Sequence, residues 1–168
     1  MSKEKALLAV VEDLRKEFQD DIIETGGHAG DTMLRISLER IHDVCRYLHD
    51  QHHFTYLVDL FGADRFTADD RFEVIYNIIS LKTGLRIFLK TWCPEEEPVV
   101  QSVTDIWPGA NWNEREVWDM FGIRFTGHPD LRRIFMPEDF QYHPLRKEFP
   151  LLGIPGSIDL PTSTPNTE

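Results

Sequence analysis

The apolar positions change period several times along the chain, and those changes divide it into elements. From Lys3 to Phe18, the residues Leu7, Val11, Leu14 and Phe18 recur at helical spacing with charges on the other side, which predicts an amphipathic helix. Residues 21–24 and 32–37 read as two short strands around the turn-rich run Thr25-Gly26-Gly27-His28-Ala29-Gly30-Asp31, hence a hairpin. A second helix follows over 38–49, with Ser37 as its N-cap and Leu38, Ile41, Val44, Cys45 and Leu48 on its inner face. Residues 56–61, 71–81 and 85–92 then read as strands. The middle one is dense in β-branched and aromatic side chains (Phe72, Val74, Ile75, Tyr76, Ile78, Ile79), and Lys82-Thr83-Gly84 turns it into the next. Their apolar runs are too continuous to separate two faces, which leaves room for partial cover on both sides.

Pro94-Glu95-Glu96-Glu97-Pro98 breaks the chain, and a short helix is expected over 99–106 before Trp107-Pro108-Gly109. The order up to residue 92 is α-β-β-α-β-β-β, which predicts an α+β fold: a two-layer domain with helices on one face of a sheet, followed by an extended C-terminal tail. No internal repeat is present. The expected division is a domain over 1–122, an extended charged segment over 123–152 that binds a partner, and a Pro-rich tail over 153–168 that is disordered when alone.

Residues 111–122 predict a helix with both ends marked. Asn111 can cap and Glu114, three residues on, completes a capping-box pattern; Gly122 is placed for the left-handed residue that ends a helix. Glu114 and Glu116 lie in the first turn, where the helix dipole favours negative charge. Glu114 also shares a face with Val117, Trp118 and Phe121, so it is expected to be partly buried and to need a cation or several donors. Arg115 can reach Asp119 one turn on, which leaves Arg132 or Arg133 as candidate partners of Glu114. Beyond Gly122, His128-Pro129 and His143-Pro144 are each followed within a few residues by paired basic side chains, Arg132-Arg133 and Arg146-Lys147. Such a rigid, charged backbone is expected to pack poorly on itself and to lie in a groove on another protein.

Charge and composition narrow the function. The formal net charge of −11 argues against nucleic acid, whose phosphates need concentrated Lys and Arg. Residues 1–110 hold 12 basic and 20 acidic side chains, and residues 111–168 hold 6 and 9, so the later part mixes signs more evenly. No apolar run approaches the ~20 residues needed to span a bilayer, and the first residues lack the apolar core of a signal peptide, so any membrane association is expected through a partner. The two cysteines, Cys45 and Cys93, are far apart and support neither an iron–sulfur cluster nor a structural zinc. Cys45 reads as a buried thiol. His49, His52 and His53 have spacings compatible with a metal, and equally with imidazoles at a helix C-terminus.

The run Glu114-Arg115-Glu116-x-x-Asp119-Met120-Phe121-Gly122, followed by Gly127-His128-Pro129-Asp130-Leu131-Arg132-Arg133-Ile134, resembles the signature of the thirty-kilodalton subunit family of respiratory complex I, the bacterial NADH:quinone oxidoreductase. His143-Pro144-Leu145-Arg146-Lys147-x-Phe149-Pro150 resembles the family's second block, with Glu148 where Asp is more usual. The resemblance implies a non-catalytic subunit in the peripheral arm of a proton-translocating enzyme. It would sit on the cytoplasmic side of the membrane, beside the large quinone-site subunit and the subunits that carry iron–sulfur clusters. FMN, clusters, NADH and quinone would belong to other subunits, with no cofactor, metal or catalytic residue in this chain. It further implies that Glu114, Arg115, Glu116, Asp119, His128, Asp130, Arg132, Arg133, His143, Arg146 and Lys147 form an interface or structural signature.

Two other readings remain beside it. Relatives of the family serve ferredoxin-linked oxidoreductases and membrane-bound hydrogenases, and the electron donor is chosen by other subunits. A free-standing protein-binding module would instead purify as a lone monomer. Glu114, Glu116, Asp119 and His128 could also be imagined as a hydrolytic or metal site, against which stands the ordinary role of acids in a first helical turn.

Overall fold

The computed structural model describes residues 3–28, 31–66, 69–151 and 153. The Pro-rich tail expected from residue 153 onwards lies outside the described residues, Gly153 excepted. Helix α1 (Lys3–Phe18) has the predicted bounds and buries Val10, Val11, Leu14 and Phe18. The hairpin is formed by β1 (Ile22–His28) and β2 (Asp31–Ile36), with strands that run further into the glycine-rich turn than expected. Gly26 and Gly27 pair with Met33 and Thr32, and a Cβ on Gly27 would lie only 3.0 Å from the Asp31 carbonyl. The absence of a side chain therefore lets the ladder close down to the tip.

Ser37 does not cap the second helix. Its amide and hydroxyl both bond to Asp21, at 2.9 and 2.6 Å, which ties the end of β2 to the start of β1. A single 3-10 turn (Leu38–Arg40) then leads into α2 (Ile41–His52), three residues later than predicted at each end. Ile41, Val44, Cys45 and Leu48 form its buried stripe, as the spacing requires. His53 takes the left-handed conformation at its end, with φ 58°.

Strands β3 (Tyr56–Asp64), β4 (Phe72–Ser80) and β5 (Leu85–Cys93) complete a five-stranded sheet in the order β1-β2-β5-β4-β3. All neighbours are antiparallel except β2 and β5, which run parallel across the α2-β3-β4 connection. Alternation in β4 and β5 separates the faces. Phe72, Val74, Tyr76 and Ile78 with Leu85, Ile87, Leu89 and Cys93 are buried beneath the helices. Asn77, Phe88, Lys90 and Trp92 lie on the other, partly open face. Trp92 is kept there by cations: the Arg35 and Arg65 guanidinium carbons lie 4.1 and 3.5 Å from its ring centre, and its indole N–H donates to Glu73.

Residues 99–106 do not form the short helix expected of them. Val99–Gln101 is a strand, β6, which pairs in parallel with β7 (Arg124–Thr126). Pro98 favours extended backbone next to two β-branched valines, and burying Val100 against Phe125 completes the preference. Helix α3 (Ala110–Phe121) connects these two strands and lies over β3. Its approach depends on Gly62, where a Cβ would stand 2.8 Å from the Phe121 ring and 3.1 Å from Val117. Gly62→Ala should therefore cost about 1–3 kcal/mol by overpacking, measured by denaturant unfolding. A neutral result would show that α3 can shift off β3 at no cost.

The strap on helix α3

Within α3 the two predicted start signals are not used. The residue before the helix is Gly109, and neither Asn111 nor Glu114 caps it. Glu114 turns inward instead. It is fully buried, and Oε1 accepts the Val103 amide at 2.8 Å. Neither Arg132 nor Arg133 pairs with it: Arg132 is paired with Asp130 and Arg133 with Asp119. Burial pushes its carboxyl up to about 7, against the lowering effect of the Val103 amide and the Ser102 hydroxyl.

Arg115 also departs from expectation. It does not pair with Asp119; its Nε and Nη2 donate to the carbonyls of Arg132 and Arg133, each at 3.0 Å. Arg133 is the partner of Asp119. The other Asp119 oxygen accepts three consecutive amides, Ile134, Phe135 and Met136, at 3.0, 2.8 and 3.0 Å. One carboxylate thus fixes four donors of the following segment. Burial raises the Asp119 carboxyl, but those amides and Arg133 outweigh it and hold it below the usual range.

The segment closes the end of the helix as well. An α-helix leaves its last four carbonyls without partners of its own. Here the Trp118 carbonyl accepts the Gly122 amide, Asp119 accepts from His143 Nδ1 at 2.9 Å, Met120 accepts the Leu145 amide at 3.1 Å, and Phe121 accepts Arg146 Nε at 2.7 Å. Gly122 holds the predicted left-handed turn, φ 79°, and a Cβ on it would lie 2.6 Å from both Arg146 and His143. Glycine is required there for its φ and for the approach of the strap. His143 is held neutral by burial and by the neighbouring Arg146 and Arg133 charges, which suits its donation to a carbonyl.

His128 bridges locally: Nδ1 accepts the Asp130 amide at 3.0 Å, so Nε2 is the donor to the Asn111 carbonyl at 3.2 Å. Further on, the Lys147 amide donates to Asp64 at 2.8 Å, and Glu148 pairs with Arg71. Arg71 is almost fully buried, grips both oxygens of Asp64 at 2.9 and 2.6 Å, and also reaches Glu95. Asp64, Arg71 and Glu95 carry no signal in the sequence. They lie at strand ends far from residue 148, and nothing local marks the pairing.

The strap is therefore lashed to its own domain along its inner side, contrary to the expectation that it packs poorly on itself. Its outer side is different. Phe135, Tyr142, Leu145 and Leu151 are exposed large apolar residues, and Asp130, Arg132 and Lys147 are exposed among them. Glu116 is also exposed. The three histidines at the end of α2 are engaged singly: His49 with Asp50, His52 with Asp13, and His53 as the helix-ending residue. Among the described residues, no group of three or more His, Cys, Asp or Glu is placed to hold a metal ion.

Residues 34–154 match the family described as respiratory-chain NADH dehydrogenase, 30 Kd subunit. The chain is 48% identical over 144 residues to the C subunit of NADH-quinone oxidoreductase from Roseiflexus sp. (strain RS-1), covering 84% of this chain and 83% of that one. It is 36% identical over 141 residues to the protein of the same name from Geobacter sulfurreducens, covering 83% and 87%. Among solved structures, the trypsin-resistant fragment (1-134) of Nqo5 superposes with a TM-score of 0.65 at 35% identity, covering 74% of this chain and 98% of the fragment. A chain of the archaeal membrane-bound sulfane sulfur reductase shares the fold, with a TM-score of 0.73 at 23% identity over 86% of this chain and 85% of that one.

Proposed function

Because the chain belongs to the respiratory-chain NADH dehydrogenase 30 kDa subunit family, we propose that it works as a peripheral-arm subunit of an NADH:quinone oxidoreductase, respiratory complex I, and supplies structure to it. The observation that carries the reading is the family match across residues 34–154, which takes in β3, β4 and β5 of the sheet as well as α3 and the strap. The chain's own groups have structural employment: Glu114, Asp119, His128, Arg133 and His143 each bond to backbone or to one another. The chemistry accordingly resides in other subunits, which hold the FMN, the iron–sulfur clusters, NADH and quinone.

The outer side of the strap is the surface for those partners, foremost the large quinone-site subunit and the cluster-bearing subunits. Exposed aromatic residues among mixed charges have the character of an interface core with a polar rim. No helix among the described residues is long and apolar enough to cross a membrane. The chain joins the membrane complex peripherally, on its cytoplasmic side, through these contacts.

Arg132 gives the clean test. Its side chain is exposed and its ion pair is with the equally exposed Asp130, at 2.8 Å, so the fold gains little from it. Arg132→Glu should leave thermal stability within about 0.5 kcal/mol and reduce recovery of the chain with the detergent-solubilised oxidoreductase. Normal co-purification of the variant would remove this surface from the interface. A wild-type chain that emerges from the membrane fraction as a lone monomer, without flavin- and cluster-bearing partners, would overturn the assembly itself.

A further inference from the structure

Glu114 takes no part in holding the strap, and its surroundings are unlike those of the other acids of α3. It is wholly buried where α3 meets the connection after β6. Oε1 accepts the Val103 amide, while Oε2 has no hydrogen-bond partner among the described residues. Three titratable groups bear on it: Cys45 from α2, Tyr76 from the central strand β4, and Asp105 from the connection itself. None is a cation. The nearest arginine in sequence, Arg115, is spent on the carbonyls of Arg132 and Arg133, and Asp105 is turned to His42 and Arg46. The Tyr76 hydroxyl is likewise fully buried and without a partner among the described residues.

A carboxylate in this position would hold a full charge with only the Val103 amide and the Ser102 hydroxyl to favour it and no cation beside it, which is costly in an apolar interior. A carboxylic acid carries no charge and avoids that cost. We propose that Glu114 is kept as a neutral acid in the folded chain and serves as a protonation-controlled pin, closing residues 102–105 onto α3 while it holds its proton and releasing them when the proton passes to solvent. Those residues are the natural point of release. Thr104 is half-buried and Asp105 exposed. Besides the pin, the turn is held by backbone bonds of Ser102 to Thr126 and of Ile106 and Trp107 to Val103, by the Ser102 and Thr104 hydroxyls, and by Asp105 on His42 and Arg46, whose side chains are themselves partly open to water. Asp119 on the same helix anchors the strap, so release of the pin loosens the base on which the strap is mounted.

The direction of the pH effect follows from linkage. The folded-state value, about 7, lies above the ordinary 4.5, so the contribution of Glu114 is fully present below 4.5 and is lost as pH rises towards 7. The test uses the full chain. Infrared difference spectra should show a protonated carboxyl stretch in mildly acid solution that disappears near neutrality and is absent from Glu114→Gln. Over the same interval, protection of the Val103 amide, corrected for intrinsic exchange, should fall by about a hundredfold. Protection of a β4 amide far from the turn should hold steady. Glu114→Gln, neutral at every pH, should keep Val103 protection flat. The wild-type chain alone decides the matter: a Glu114 already ionised in mild acid overturns the proposal, and so does a proton lost near neutrality with no change at Val103.

Discussion

Asp119→Ala should detach the strap and cost about 3–5 kcal/mol, the loss typical when one partner of a buried ion pair is removed. The magnitude follows from how much rests on one carboxylate. Its side chain is fully buried, and the variant would leave a nearly buried Arg133 guanidinium and three consecutive amides without their acceptor. Each unpaired buried donor carries a desolvation penalty of roughly 1–3 kcal/mol, limited here because the strap can lift away and let water in. Hydrogen exchange reads the mechanism directly. The amides of Ile134, Phe135 and Met136 should lose protection in Asp119→Ala, while those of β4 and β5 keep theirs. Asp119→Asn retains one acceptor oxygen and should fall between wild type and Asp119→Ala. If Asp119→Ala unfolds within about 1 kcal/mol of wild type with the three amides still protected, the strap is held by something other than Asp119.

The same residues show where sequence reasoning succeeds and where it stops. Helix α1, the hairpin, the three long strands and the Gly122 terminus are legible because each is set by a local pattern: period, turn chemistry or a left-handed glycine. Residues 99–106 mislead because the partner of β6 lies beyond α3, and Val99-Val100 in isolation suits more than one conformation. The acids of the signature are a sharper case. Glu114, Glu116 and Asp119 look alike as acids of one short helix, yet one is buried against Val103, one is exposed and one collects the strap. A capping box and an inward carboxylate have the same sequence. The choice is made by the Val103 amide, eleven residues earlier in the chain, which only the tertiary fold brings to α3.

The strap is the other ambiguity. Its charge and proline content correctly mark it as irregular, but irregular backbone need not be free. Its amides and arginines find acceptors on the end of α3, which lacks internal partners by the geometry of any helix. This gives the segment two sides with separate duties. The inner side completes the helix and is a matter of stability. The outer side, with Phe135, Tyr142 and Leu145, is available to a neighbouring protein of the complex.

The far end of the strap depends on Arg71, and Arg71→Met should cost about 3–5 kcal/mol near neutral pH. Arg71 is the buried cation shared by Asp64, Glu95 and Glu148, and the Asp64 side chain is itself fully buried. The pH dependence separates this loss from simple loss of packing. Burial alone would raise the Asp64 carboxyl, but Arg71 and the amides of Lys147 and Phe66 hold it down at about 2, below its ordinary 3.8. In the wild-type chain, that contribution is present above 3.8 and is lost as pH falls towards 2. It amounts to about 2 kcal/mol. Without Arg71, the carboxyl loses its largest lowering influence while its burial remains, so its value should rise and acidification should neutralise a buried charge and restore part of the lost stability. Urea unfolding across that acid range should show the two chains converging. The double variant Arg71→Met with Asp64→Asn should recover part of the loss at neutral pH, since Asn keeps an acceptor for the Phe66 or Lys147 amide. Parallel acid profiles for Arg71→Met and wild type would mean that the Asp64 charge is not what Arg71 holds in place.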